Sequence, residues 1–207
     1  MSKSGFLYRA RQELDDEITY GKKLKALKIA RRCLEEAKTK EAPGEIEYFK
    51  GELQMLKGNF CAAIKYFDSA IKYNPGDGAA YNDRALCMVE LGFIDAAFPY
   101  FDKGIQVEPD YANIYHNKGW LLNNIGRHSE ALTYFKKALR LEPKRPVTYD
   151  NLADALYNLS DYEGAEEAYK KVLRLLKPGS LPGIRKQIQA KLKSIQQKLN
   201  SGEKCEP

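Results

Sequence analysis

Pro75, Pro109 and Pro143 stand 34 residues apart, and five further columns keep the same interval. Phe67, Phe101 and Phe135 continue to Tyr169, and Ala63, Ala97 and Ala131 continue to Ala165. Gly58, Gly92 and Gly126 continue to Ser160. Gly51, Ala85, Gly119 and Ala153 form a column of small residues, and Tyr81, Tyr115 and Tyr149 an aromatic one. A unit repeated at this period cannot bury its apolar face alone. Each copy must stack on the next and share a core with it.

Every column has a physical reason. Within one period, apolar residues recur at helical spacing in two stretches, for example Tyr115, Gly119 and Leu122, then Ala131, Leu132, Phe135 and Ala138. The glycine between the stretches marks a tight turn that needs positive φ or close approach. Small residues at 119, 131 and 138 let two helices meet at short distance, and the aromatics fill the remaining space. The proline follows the second helix, which it cannot continue.

This order of residues resembles the tetratricopeptide repeat family. The resemblance implies an all-α, right-handed solenoid of stacked helix-turn-helix units, about eleven helices around one continuous core. Four units are placed at 44–77, 78–111, 112–145 and 146–179. Departures exist: Glu47 replaces the first aromatic, and Gly104 and Val172 replace alanine. Lys177 replaces the last proline, with Pro178 one place later, so the preceding helix is expected to run one residue longer.

The flanks read as further helices. Residues 1–43 fit a degenerate N-terminal repeat, with Gly21, Ala26, Ala30 and Cys33 at the turn and second-helix positions and a poorly matched first helix near 5–18. Residues 180–200 hold Ile184, Ile188, Leu192, Ile195 and Leu199, one apolar stripe on a basic helix. A solvating cap on the last unit is the favoured role. A membrane-surface or partner-binding helix is the alternative. Residues 201–207 are expected to be a disordered tail. Pro99 lies inside a predicted helix beyond its first turn and is expected to bend it.

The net charge of +6 is unevenly placed: the two ends are basic and residues 44–179 hold 17 Lys+Arg against 19 Asp+Glu. Nucleic acid is therefore an unfavoured partner. No stretch of about 18 apolar residues exists, so no membrane partner is expected. Cys33, Cys61, Cys87 and Cys205 are scattered without a CxxC pair, and with His116 and His128 they give no zinc-like spacing. A reducing, cytoplasmic setting fits. There is no GxSxG, P-loop, GxGxxG or HExxH, so neither enzyme chemistry nor a metal or cofactor is expected. His128 shares a column with Phe60, Ile94 and Tyr162 and reads as a packing residue.

The resemblance further implies that the first helices of successive units line a concave groove that binds peptides. Helical spacing places on that side Glu45, Tyr48, Phe49, Glu52, Met55 and Leu56, then Asn82, Asp83, Leu86, Val89 and Glu90. It places there next Asn113, His116, Asn117, Trp120, Asn123 and Asn124, then Asp150, Asn151, Asp154, Tyr157 and Asn158. Asp83, Asn117 and Asn151 form a 34-residue column, similar to the asparagine ladder known in the family. Asparagine offers both donor and acceptor to a peptide backbone, or serves as a surface polar or helix–helix bond. Trp120 is the only tryptophan and reads as a binding anchor beside Leu86, or as a ring covered by long neighbours.

Some members hold acidic chaperone C-termini in a clamp of lysine, arginine and asparagine. The matching positions are Tyr48, Glu52, Asp83, Asn113 and Asn117, or one unit later Asn82, Leu86, Asn117, Val147 and Asn151. Neither set holds a lysine or arginine, so acidic chaperone tails are disfavoured. A neutral or basic peptide with apolar side chains is the expected ligand. The function read from the sequence is a non-enzymatic protein-interaction module that binds an extended peptide or helix. The alternatives are a structural adaptor or self-assembling scaffold using the convex face or ends, and RNA binding through the basic termini.

Overall fold

The computed structural model describes residues 6–177 and 179–201. Among these the chain is all-α, with eleven helices and no strand. They are α1 (Phe6–Tyr20), α2 (Lys23–Thr39), α3 (Pro43–Lys57), α4 (Phe60–Tyr73), α5 (Gly78–Glu90) and α6 (Ile94–Val107). Then come α7 (Ala112–Asn124), α8 (His128–Leu141), α9 (Pro146–Asn158), α10 (Tyr162–Leu175) and α11 (Pro182–Ser201). Ser201 thus ends the last helix instead of opening a tail. The rest of the expected disordered tail, 202–207, lies outside the described residues.

The described residues up to Tyr111 form one compact unit and those from Ala112 on form a second, called unit one and unit two. In unit one α1 packs on α2, α3 on α4 and α5 on α6, with α2 against α3 and α4 against α5. In unit two α7 packs on α8, α9 on α10, α8 on α9, and α11 on α10.

The repeat columns become the core of each unit. Phe67 and Phe101 in unit one, and Phe135 in unit two, are fully buried, and Tyr169 nearly so. Burying each such ring contributes about 1.5–3 kcal/mol. Ala63, Ala97, Ala131 and Ala165 are sealed beside them. A Cβ at Gly51 would lie 2.6 Å from the Phe67 ring, and one at Gly119 would lie 2.9 Å from the Phe135 ring. Only glycine admits those rings so close to the first helix.

Gly58, Gly92 and Gly126 serve differently. Each adopts φ of 82–83° after its helix, where an L-residue is strained. Ser160 holds the matching place at φ 60°. Helix starts are marked by Pro43 and Pro146 at the first helical positions. The Asp77 and Asp161 side chains accept from Ala80 N and Gly164 N. α10 ends at Leu175, one repeat after Leu141 ends α8, so Lys177 does not lengthen it as expected. α6 continues from Ile94 to Val107 through Pro99, whose ring lies on the exposed side.

Candidate functional site

In unit one the groove positions are occupied from within. Arg11 of α1 donates from Nη1 and Nη2 to both oxygens of Asp77, at 2.9 and 2.8 Å. Its Nε donates to Glu45 at 3.1 Å, and its guanidinium lies 3.6 Å from the centre of the Tyr48 ring. The Tyr48 hydroxyl donates to Asp83 at 2.7 Å, and Asn82 Nδ2 donates to the other Asp83 oxygen at 2.8 Å. Glu52 lies against Asp83 and is almost wholly buried. Burial, then the charges of Asp83 and Asp15, push its carboxyl well above the usual range, which favours the protonated form, the one able to donate to Asp83. Glu52 Oε1 finds no partner. Burial would raise Asp77, but the charge and bonds of Arg11 outweigh it and lower that carboxyl.

This corrects the groove expected there. Tyr48 and Asp83 form a buried joint between α3 and α5, Asn82 is buried beside Asp83 on α5, and Phe49 is wholly inside the core. Of the residues expected in unit one's groove, Leu86, Met55, Leu56 and Val89 are half-buried and Glu90 is exposed. Three of these four acids are not an open lining, because Glu45 pairs with Arg11, and Glu52 and Asp83 hold each other, while Glu90 is exposed.

Unit two is built along the same lines but stays more open. Asn113 and His116 on α7 are buried. Arg145 donates to Asn113 Oδ1, and also to Glu142 at 3.1 Å. His116 Nδ1 lies 3.0 Å from Thr148 Oγ1, and Nε2 lies 3.5 Å from Asn151 Nδ2. A tautomer with the proton on Nδ1 satisfies both neighbours. Burial, reinforced by Arg145, pushes the imidazole down to about 3, so His116 is neutral. Asn117, Trp120 and Asn151 are half-buried, and Asn124 is exposed. Leu86 and Trp120 fall in different units. His128 opens α8 half-buried, its Nδ1 2.6 Å from Asn123 Oδ1.

Asp150 and Asp154 share one cation, Lys191 of α11. Its Nζ donates to Asp150 at 3.1 Å and to the two oxygens of Asp154 at 2.8 and 3.0 Å. The ammonium lies 5.0 Å from the centre of the Tyr169 ring, whose hydroxyl donates to Asp154. Burial lifts the Asp150 carboxyl despite that neighbour. Burial would lower Lys191, but the bonds and charges of Asp154 and Asp150 raise it.

Arg11, Arg145 and Lys191 are the residues that sequence reasoning missed. Arg11 carried a signal: it stands one repeat before Glu45, in register with the groove column. Lys191 lies three residues after Ile188 and four before Ile195, on the apolar side of α11. Among the described residues no group of three metal-ligating side chains comes together, and no helix is long and apolar enough to cross a membrane.

Family models described as tetratricopeptide repeat match residues 48–105, 112–145 and 147–177, more than half of the chain. No curated protein matches it. Among solved structures, the chain is similar to TTC0263, a thermophilic TPR protein of Thermus thermophilus. The TM-score is 0.69 at 18% identity, over 92% of this chain and 98% of that one. It is also similar to MamA residues 41–end from Desulfovibrio magneticus RS-1 (TM-score 0.56, 19% identity, 84% and 97% covered). YrrB, described as a TPR protein with an unusual peptide-binding site, gives a TM-score of 0.55 at 18% identity, over 84% of this chain and 83% of that one.

Proposed function

The chain belongs to the tetratricopeptide repeat family, and on that premise we propose that unit two holds an extended peptide or helix of a partner protein along α7 and α9, without catalysing a reaction. Proteins of this family generally bind other proteins. The observation that carries the reading is Trp120. The only tryptophan of the chain is half-buried on α7, at a position that helical spacing assigns to the groove side. A partly exposed indole is the usual anchor of a protein interface. Asn117 and Asn151 supply amides for a peptide backbone, and Asn124 extends the polar edge. The peptide-binding site ascribed to YrrB supports a ligand of this kind. The ligand is neutral or basic with apolar side chains, because Asp150 and Asp154 outnumber the one cation between them, Lys191, and so disfavour anions.

A peptide array probed with the full chain tests this. Trp120→Ala should weaken the best binders by about 2 kcal/mol. Binding that is unchanged in the variant, or best binders that are acidic, would refute it. The free cysteines Cys33, Cys61 and Cys87 suit a reducing, cytoplasmic compartment. One observation favours a second reading, a structural adaptor. Ile125 and Leu159, one repeat apart at the turns of unit two, are both exposed. Light scattering would show self-assembly that Ile125→Ser abolishes.

A further inference from the structure

Two cations reach groove acids from terminal helices, and they differ in kind. Arg11 is locked: its side chain is 14% exposed and that of Asp77 5%. Lys191 sits at a mouth, 37% exposed, over Asp154 at 36% and Asp150 at 29%. Water already reaches all three members of the second cluster.

The hold of α11 on unit two does not depend on that lysine. Ile188 and Ile195 are buried, and Arg185 Nη2 donates to the carbonyls of Leu176 at 2.6 Å and Lys177 at 3.2 Å. The ammonium of Lys191 can swing into solvent while the helix stays docked. What it would leave behind is specific: two carboxylates one helical turn apart on α9, beside an aromatic ring. Two anions with a ring face select an ammonium group over a neutral or anionic one.

We propose that Asp150, Asp154 and Tyr169 form a lysine-recognition site that Lys191 fills from within the chain, and that a lysine-bearing segment of the partner enters it by displacing Lys191. The proposal rests on the reading that unit two takes a peptide, and it names what one side chain of that peptide is. Lys191 is then an internal competitor. It partly offsets the charge of the acid pair until a ligand arrives that also satisfies the rest of the wall. A tethered competitor acts at high effective concentration, so it screens out weak binders. The pattern of α11 itself, Ile188 and Leu192 around Lys191, shows the kind of sequence that fits: a lysine flanked by branched aliphatic residues.

The test uses the full chain and an array of peptides in matched pairs, each lysine-containing sequence beside its glutamine twin. Lys191→Ala should raise capture of the lysine member at least fivefold over wild type and leave the glutamine member unchanged. Lys193→Ala removes the same charge from the exposed side of α11 and should behave as wild type. Asp150→Asn with Asp154→Asn should abolish discrimination within pairs. Lys191→Gln, which keeps most of the side chain, should reproduce the gain, and thermal melts of both Lys191 variants should stay within about 4 °C of wild type. If the Lys191 variants bind as wild type does, or Lys193→Ala gains equally, the lysine site is refuted while peptide binding through Trp120 stands. If no form captures any peptide, the lysine site and the peptide-binding reading both fail.

Discussion

The guanidinium of Arg84 lies 3.7 Å from the centre of the Tyr100 ring and ties α5 to α6. The same pair of positions carries Lys50 over Tyr66 at 5.7 Å and Lys118 over Tyr134 at 4.6 Å. A second rung, on other positions, sets Lys137 over Tyr115 and Lys171 over Tyr149. Each rung joins the first helix of a repeat to its second, and Lys118 and Tyr115 are buried. Arg84 also donates from Nε to Asp68 at 2.6 Å, bracing α4.

Arg84 is therefore expected to matter more than an ordinary surface cation. Its side chain is only 13% exposed. Desolvated cation–π pairs are worth about 2 kcal/mol, while the half-exposed Asp68 adds little. Arg84→Ala should lower stability by about 2 kcal/mol in urea titrations, and Arg84→Lys by less. An unchanged midpoint in Arg84→Ala would show that the ring contact contributes nothing.

Arg11 and Lys191 allow a direct comparison of buried and exposed ion pairs. Arg11→Ala strands Asp77 as a buried, unpaired charge and should cost about 3–5 kcal/mol. Lys191→Ala opens a solvated pair and should cost about 0–1 kcal/mol. Comparable losses in denaturant melts would contradict the burial difference between the two sites.

Glu52 gives stability a slope with pH. Its folded carboxyl titrates above the unfolded one, which lies near about 4.3. Between those values the native state holds a proton that the unfolded state has released. Stability contributed by Glu52 is then full below the unfolded value and is lost as pH rises towards the folded one. Asp83 is raised by burial too and shifts in the same direction. Glu52→Gln keeps a donor for Asp83 without the titration. Its stability gain over wild type should be near zero at about pH 4 and grow with pH, by at most about 1.4 kcal/mol per unit. A gain independent of pH in chemical denaturation would argue against a buried proton.

Ser160 bears the left-handed conformation that glycine bears in the other turns. That conformation costs an L-residue about 1–2 kcal/mol, against about 0.5–1 kcal/mol of added chain entropy for glycine. Ser160→Gly should stabilise the protein by roughly 0.5–1 kcal/mol. Calorimetry showing a lower melting temperature would refute it.

The core was legible because packing repeats as the sequence does. Ala63, Phe67 and Gly51 meet each other at every period, so their columns survive in the text of the chain. The groove was less legible for a geometric reason. Spacing by three and four residues gives the faces of an isolated helix. In the stack α5 lies beside α3, and α9 beside α7, so positions such as Asn82, Asn113 and His116 are covered by a neighbouring first helix or its approach. Long side chains are harder still. Arg11 reaches Asp77 across 66 residues of sequence, and Lys191 reaches Asp150 across 41. The 34-residue column reaches Arg11 through Glu45, but it does not register Lys191, whose helix is not part of a repeat.

Gly58, Gly92 and Gly126 face open space: a Cβ added at any of them would meet nothing within 4 Å. The spacing of the helices is thus set by rings and alanines further in, and the turns merely close the path. Lengthening such a turn raises closure entropy only logarithmically. The tips after Gly92 and Gly126 are accordingly places where a fluorophore-bearing loop, a recognition tag or a whole folded insert can be carried without rearranging the helices on either side.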